Sequence, residues 1–409
     1  MSNIHAGRLF NASCIALVTT AMTFAIRAGM LDGWKTEFGL TYQEVGVITS
    51  MAFYGFPAAT ILGGMILDTI GMRRMLVIAF ATHLLGLILT VFAGGFWTLL
   101  ISTFLVGFAN GAVEAACNPM VASLYPERKT AMLNKFHVWF PGGIVIGALA
   151  GYLMASAGLG WRAQCAIILI PTLVYGYLFY SQAFPRTERV EHGVSTAEMF
   201  KAVFANPLFY FMAACMVLTA NTELSTGQWI DSLLKSVGVA PLLVLAFING
   251  IMAFGRFYAG PVVHRLNPTG MLLGSAVFAT LGLFALSHAQ GWATWGAAAV
   301  FAVGVCYFWP TMLGFVAEYI PKSGALGLSV LGGVGMLATG MFQPVIGRWF
   351  DDNLAKANLD GLTEEAANLA AGQATLSNVG VLPIVLILAF TALWFWMRPA
   401  VKAAQELNG

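Results

Sequence analysis

Glu114 stands inside a long apolar run, with Asn110 and Asn118 four residues to either side. That spacing puts all three on one face of a helix. A carboxylate at membrane depth costs about 2.5–3.5 kcal/mol on insertion scales, and such groups are kept for function. It can accept hydrogen bonds from a polar solute or take up a proton, because burial raises its proton affinity and a facing cation lowers it. The structural alternative is a pair with Arg27 that only holds two helices together.

After a short basic loop (Arg128, Lys129), the next apolar run opens with Asn134 and His137. A histidine, with an ordinary pKa of about 6.5, suits proton exchange, or else it is a solvated helix end. Asn118 and Asn134 either orient solute hydroxyls or cross-link helices through bonds of about 0.6–2 kcal/mol. Arg27 shares a face with Thr20, Thr23 and Phe24. It cannot lose its proton, which leaves counter-ion or anion clamp. Glu223 lies four residues after Thr219 and three before Thr226, and reads as cavity-facing. Arg256, between Gly255 and Phe257, is either a helix-packing ion-pair residue or a second clamp.

The elements that must hold these groups are membrane spans. Hydrophobic residues make up 59% of the 409 and charged residues only 9%, against roughly 25% charge in soluble domains. Apolar runs long enough to cross about 30 Å cover 9–31, 43–67, 75–93, 98–122, 134–157 and 161–184. Six more cover 207–232, 239–263, 270–289, 293–317, 323–346 and 379–397. The expected fold is an all-α membrane protein of twelve helices in two pseudo-symmetric six-helix bundles. One bundle covers 1–184 and the other 207–409. Between them 185–206, with Arg186, Glu188, Arg189, Glu191, His192 and Lys201, reads as a cytoplasmic linker with a surface helix.

With the N-terminus inside, thirteen Lys and Arg fall on the cytoplasmic side and five on the other. Both termini are therefore expected to be cytoplasmic, in a plasma membrane or bacterial inner membrane. The first run reads as a span and not a removed signal peptide. The stretch from Asp351 to Ser377 is expected to be external, with a short exposed helix and no chemistry. The five cysteines lie in apolar runs and read as packing residues. No metal or cofactor is expected, and the dispersed net charge of +2 gives no nucleic-acid partner.

The halves repeat. A shift of about 195 residues lays Trp34 on Trp229, Gly64 on Gly260, Asp68 on His264, and Tyr125 on Tyr319. Such repeats carry a binding site at the midplane between bundles. Trp139, Trp229, Tyr307 and Trp309 each fall within about a turn of a cavity candidate or its repeat equivalent, and Trp309 mirrors Glu114. A carboxylate facing an aromatic platform suits a pyranose, with hydroxyls on the polar groups and a ring face on Trp. Glycine rows at Gly143, Gly147 and Gly151, at Gly250, Gly255 and Gly260, and at Gly332 to Gly340 would let helices approach closely.

Gly63-Gly64-Met65-Ile66-Leu67-Asp68-Thr69-Ile70-Gly71-Met72-Arg73-Arg74 resembles the cytoplasmic loop motif of the major facilitator superfamily. Gly64, Asp68, Gly71, Arg73 and Arg74 would then latch a conformational state. Thr69 stands where an arginine is usual, and Gly260 to Arg265 is a degraded second copy. Glu114-Ala115-Ala116-Cys117-Asn118-Pro119 is similar to the fourth span of fucose permease-like sugar:proton symporters. Leu133 to Gly143 resembles their fifth-span entry, and Glu223 to Trp229 their seventh-span pattern. The resemblance implies a monomeric, proton-coupled importer of a monosaccharide in the lipid bilayer. Glu114, Glu223 and His137 would handle protons. The family's first-span aspartate is absent, Arg27-Ala28 standing at about that place. The alternative is a transporter of a small organic anion or zwitterion clamped by Arg27 and Arg256. An enzyme is not expected, since the chain has no HExxH, GxSxG or phosphate loop.

Overall fold

The computed structural model describes residues 4–125, 132, 135–185, 203–320 and 323–408. Side chains are described at these positions except 64–65, 68, 122, 259–265, 317–318, 324–326, 328 and 399–408. The linker charges, Arg128, Lys129 and Asn134 lie outside the described residues, as do the side chains of Asp68, His264 and Arg265.

Among the described residues there is no strand. Eleven helices are long and apolar enough to cross a membrane, and Pro241–Phe257 is a shorter apolar helix. In chain order Pro241–Phe257 takes the eighth place, which gives the twelve expected spans. Its 17 residues reach about 26 Å at 1.5 Å per residue. The backbone stays helical from Ala259 to a break at Asn267, where φ is 53°. Asn267 Oδ1 accepts from the Gly270 amide there, so it starts the ninth span as a cap ahead of Pro268. Thr41 and Glu44 form a capping box at the start of the second span, Tyr42–Gly63. Asn206 caps the seventh, Pro207–Leu233, with Pro207 in its first turn.

Glycines set how closely the spans pack. A Cβ on Gly143 would lie 2.7 Å from Ala21, and one on Gly147 3.0 Å from Ala25. The predicted row on the fifth span, Lys135–Ser156, therefore fits against the first span, Ala6–Ala28. Gly250 and Gly332 have no such close neighbour. Gly46 meets Gln343 and Pro344 across the two halves, where the second span crosses the eleventh, Ser329–Leu359.

The stretch after Asp351 differs from expectation. Gly324–Leu359 is one helix of 36 residues, about 54 Å long and so well beyond the bilayer core. Glu364–Val379 then folds back beside it. Ala367, Ala371 and Leu376 are buried, and Gly372 abuts the Leu233 backbone. These apolar side chains, four and five residues apart, give this helix a packing face, so it is not a free external helix.

We call the end where the first span hands over to the second the distal end. Among the described residues, the hydrogen bonds joining the halves run from the level of Arg27 to that end. Asp32 accepts from Ser232 Oγ at 3.0 Å and from Tyr42 Oη at 2.9 Å, and pairs with Lys235 at 2.7 Å. Asp351 accepts from the Tyr42 and Gln43 amides at 3.3 and 3.0 Å. Those are first-turn N–H groups of the second span, which have no partner inside their own helix.

Candidate functional site

Between the halves is a chamber whose two walls differ in chemistry. Phe24 and Phe140 of the first and fifth spans give it an aromatic side. Glu223, Gln228, Asn249 and Arg256 of the seventh and eighth give the other side its polar groups, set among apolar side chains that include Phe301 of the tenth. The lining carboxylate thus comes from the second half and not from the first as expected, and aromatic rings come from both halves. Glu114 is not among the lining residues.

The polar wall depends on a local departure from α-helical winding. After Pro207–Ala220 the chain makes a π turn over Asn221–Ser225 and resumes at Thr226–Leu233. Asn221 and Thr222 bond back to the carbonyls of Val217 and Leu218. Ser225 bonds Asn221 at 3.0 Å. Single π turns inside α-helices recur at functional sites. This one carries Glu223 at its centre. Arg256 Nη2 pairs with Glu223 at 3.2 Å, while its Nε donates to the Cys306 carbonyl at 2.9 Å. Arg256 therefore ties the seventh, eighth and tenth spans together.

Arg27 approaches from the first half. It is 3% exposed, and among the described residues no carboxylate lies within ion-pair distance. Its Nε donates to Gln228 Oε1 at 2.9 Å, a bond between residues 201 positions apart. Its guanidinium lies over Phe24 at 4.9 Å and Phe53 at 5.8 Å, which offsets part of the lost hydration. Arg27 Nη2, Gln228 Nε2, Thr20 Oγ1 and Thr226 Oγ1 are buried with no hydrogen-bond partner. Two of these atoms, Arg27 Nη2 and Gln228 Nε2, are donors on the two side chains that the 2.9 Å bond joins.

Glu114 belongs to a separate polar chain. Asn118 Nδ2 donates to its Oε2 at 2.7 Å, and Asn118 Oδ1 lies 2.9 Å from His137 Nε2. Three predicted residues are thus brought together, and the pair of Glu114 with Arg27, the structural alternative, is not formed. Asn110 points elsewhere. It donates to Thr23 at 2.9 Å and meets His83 at 2.7 Å. His83, which the sequence reading passed over, also meets Tyr175 at 2.9 Å and is fully buried. Asn110 is therefore part of a cross-link among the first, third, fourth and sixth spans.

The aromatic candidates separate. Trp309 packs with Phe24, Phe53, Phe140 and Met336, beside the chamber. Trp229 is 0% exposed and donates to Gln343 at 2.9 Å, so it braces the seventh span against the eleventh. Tyr307 donates to the Gly255 carbonyl at 3.1 Å, behind Arg256. Trp139 is 43% exposed and is not among the residues lining the chamber. An apolar span carries rings on every face, and composition does not separate the lipid side from the inner side.

In the loop motif, Gly71 has φ of 81°, in the left-handed region where a glycine costs least. Arg73 and Arg74 are exposed after it. Gly64 lies within the preceding helix. Gln228 lies within the seventh-span stretch Glu223 to Trp229, and an amide inside an apolar span is the signal the sequence offers for it.

Comparison with known proteins agrees with this architecture. The chain is 26% identical over 294 residues to the cis,cis-muconate transport protein of Acinetobacter baylyi, covering 66% of this chain and 70% of that one. It is 26% identical over 155 residues to solute carrier family 2, facilitated glucose transporter member 10, of Xenopus laevis. That match covers 37% of this chain and only 28% of the relative's length. A crystal structure of a bacterial homolog of the human lysosomal transporter Spinster, inward-facing and unoccupied, superposes with a TM-score of 0.78. It is 16% identical and is covered over 97% of its length, against 95% of this chain, so it shares the fold. The sequence profile described as Major Facilitator Superfamily matches residues 12–342. The chain belongs to the major facilitator superfamily.

Proposed function

We propose that the protein is a secondary transporter of a small polar solute, a monosaccharide, moved by alternating access with a proton as co-substrate. The observation that carries this is the two-sided chamber. Among the described residues, all four polar lining groups, Glu223, Gln228, Asn249 and Arg256, come from the second half, while the first half lines it only with apolar side chains that include Phe24 and Phe140. This suits a sugar ring with hydroxyls on one side and an apolar face on the other. Bundles 1–184 and 207–409 rock against each other, and the solute lies where they meet. With both termini cytoplasmic, the bonded distal end is the external one, so the protein faces inward.

Glu223 is the coupling carboxylate. Protonation removes its charge and releases Arg256, and this changes the charge of the wall that the solute touches. Glu114, Asn118 and His137 form a second proton-accepting chain. The reading with both arginines as an anion clamp has less support, because Arg256 is already engaged by Glu223 and the Cys306 carbonyl.

The test is uptake by purified protein in proteoliposomes under an imposed inward proton gradient. Labelled hexoses, pentoses, amino acids and nucleosides are offered in turn. Accumulation of a hexose or pentose, or a derivative of one, is expected. Accumulation of amino acids or nucleosides alone would sink the proposal.

A further inference from the structure

We propose that the transported solute carries a carboxylate, held jointly by Arg27 Nη2 and Gln228 Nε2. Combined with the monosaccharide reading above, on which it rests for the body of the solute, this makes the substrate class sugar acids.

Charge matching comes first. Arg256 and Glu223 line the chamber, and a second arginine, Arg27, stands behind the lining Gln228, to which it is bonded. Glu223 and Arg256 are 3.2 Å apart and balance each other. The fixed positive charge left over is Arg27, which is 3% exposed and has no acid within ion-pair distance among the described residues. Buried charges are normally paired, because an isolated ion loses its hydration without return. The rings of Phe24 and Phe53 replace only part of that hydration.

The second observation is the geometry of the unpaired donors. The Arg27 Nε bond to Gln228 Oε1 at 2.9 Å fixes the two side chains relative to each other. It leaves a guanidinium N–H and an amide N–H, both buried and both without an acceptor. Gln228, also 3% exposed, lines the chamber. A hydroxyl could satisfy one of these donors but brings no charge. A carboxylate has two oxygens, takes both donors and neutralises Arg27. Arg27 comes from the first half and Gln228 from the second. Such a solute therefore bridges the parts that must separate during transport, and its arrival or departure can trigger the change.

The experiment measures binding of glucose, galactose, mannose, their uronates, and propionate to the purified full-length protein. Wild type is expected to bind a uronate at least about tenfold more tightly than the matching hexose, the scale of a charge-assisted hydrogen bond. Gln228→Glu keeps an acceptor for Arg27 Nε but replaces the amide donor with a charge that repels a carboxylate. The uronate-to-hexose affinity ratio should fall at least about tenfold in that variant. A general packing defect would weaken both ligands together and leave the ratio unchanged. Arg27→Gln serves as a second variant with the same expected loss of ratio. Equal wild-type affinity for hexose and uronate, or an unchanged ratio in both variants, overturns the proposal, as does binding of a hexose without any acid. Binding of propionate without any sugar or uronate would support the carboxylate clamp and sink the monosaccharide reading instead.

Discussion

Asp32, just past the first span, and Lys235, just past the seventh, meet at 2.7 Å across the two halves. Asp32 also accepts from Ser232 and Tyr42, so one carboxylate gathers three elements at the distal end. Lys235 is about half exposed, with side-chain exposure of 49%. The pair alone is therefore worth no more than about 1 kcal/mol. Asp32→Asn should raise the distal-open population by up to about fivefold. Spin labels at Trp97 and Trp292, both exposed and on opposite halves of that end, would report a growing long-distance component. An unchanged distance distribution would remove the latch role from Asp32.

Gly46 offers a different handle on the same closure. A Cβ there would stand 2.6 Å from the Gln343 carbonyl oxygen and 2.7 Å from Pro344 Cα, in the opposite half. Gly107 abuts the Ala52 backbone within the first half. Overpacking costs about 1–3 kcal/mol at either site, but the halves can part at Gly46 by rocking. Gly46→Ala should shift the same label distances outward and barely lower the melting temperature. Gly107→Ala should lower the melting temperature without opening the distal end. The reverse pattern would mean that the second and eleventh spans do not separate at this crossing.

Outside the spans, Glu37 supplies a pH-dependent contribution. Arg162 Nη1 donates to it at 2.6 Å and Trp161 Nε1 at 2.8 Å. These bonds, with that from Arg162 first, hold the Glu37 carboxyl below the ordinary carboxylate range. A pKa lowered by folding adds stability that is present above the unfolded value and lost as pH falls through the folded one. Glu37→Gln should melt below wild type at neutral pH, and the gap should close as pH drops below about 4. A gap that stays constant across that range would show that the carboxylate charge adds nothing.

Twelve spans were legible because a run of some twenty apolar residues has few other uses. The Glu114–Asn118–His137 chain was also legible. Its first two members are one turn apart, and the third opens the next span. The chamber was not. A π turn at Asn221–Ser225 leaves no mark on a periodicity of 3.6 residues. Gln228 could be seen as a polar residue in an apolar span, but its bond to Arg27 crosses 201 positions, and no local spacing reports such a pairing. Asp351 read as part of a bland loop for a similar reason, since its partners are amides near residue 42. Trp139 and Trp309 look alike in sequence, yet one is 43% exposed and the other packs beside the chamber.

In the proposed mechanism Glu223 and Arg256 tie solute movement to a proton through the chamber wall. Glu223→Gln keeps the shape of the side chain and removes the titrating group. It should abolish solute accumulation driven by a pH gradient while leaving counterflow exchange of the same solute measurable.

The most direct measurement is solute-induced proton entry into proteoliposomes containing a trapped pH indicator, with wild type and Glu223→Gln side by side. If Glu223 couples transport to a proton, adding solute acidifies the interior with wild type and not with Glu223→Gln. Solute uptake by wild type without acidification, or equal acidification by both proteins, would contradict that coupling.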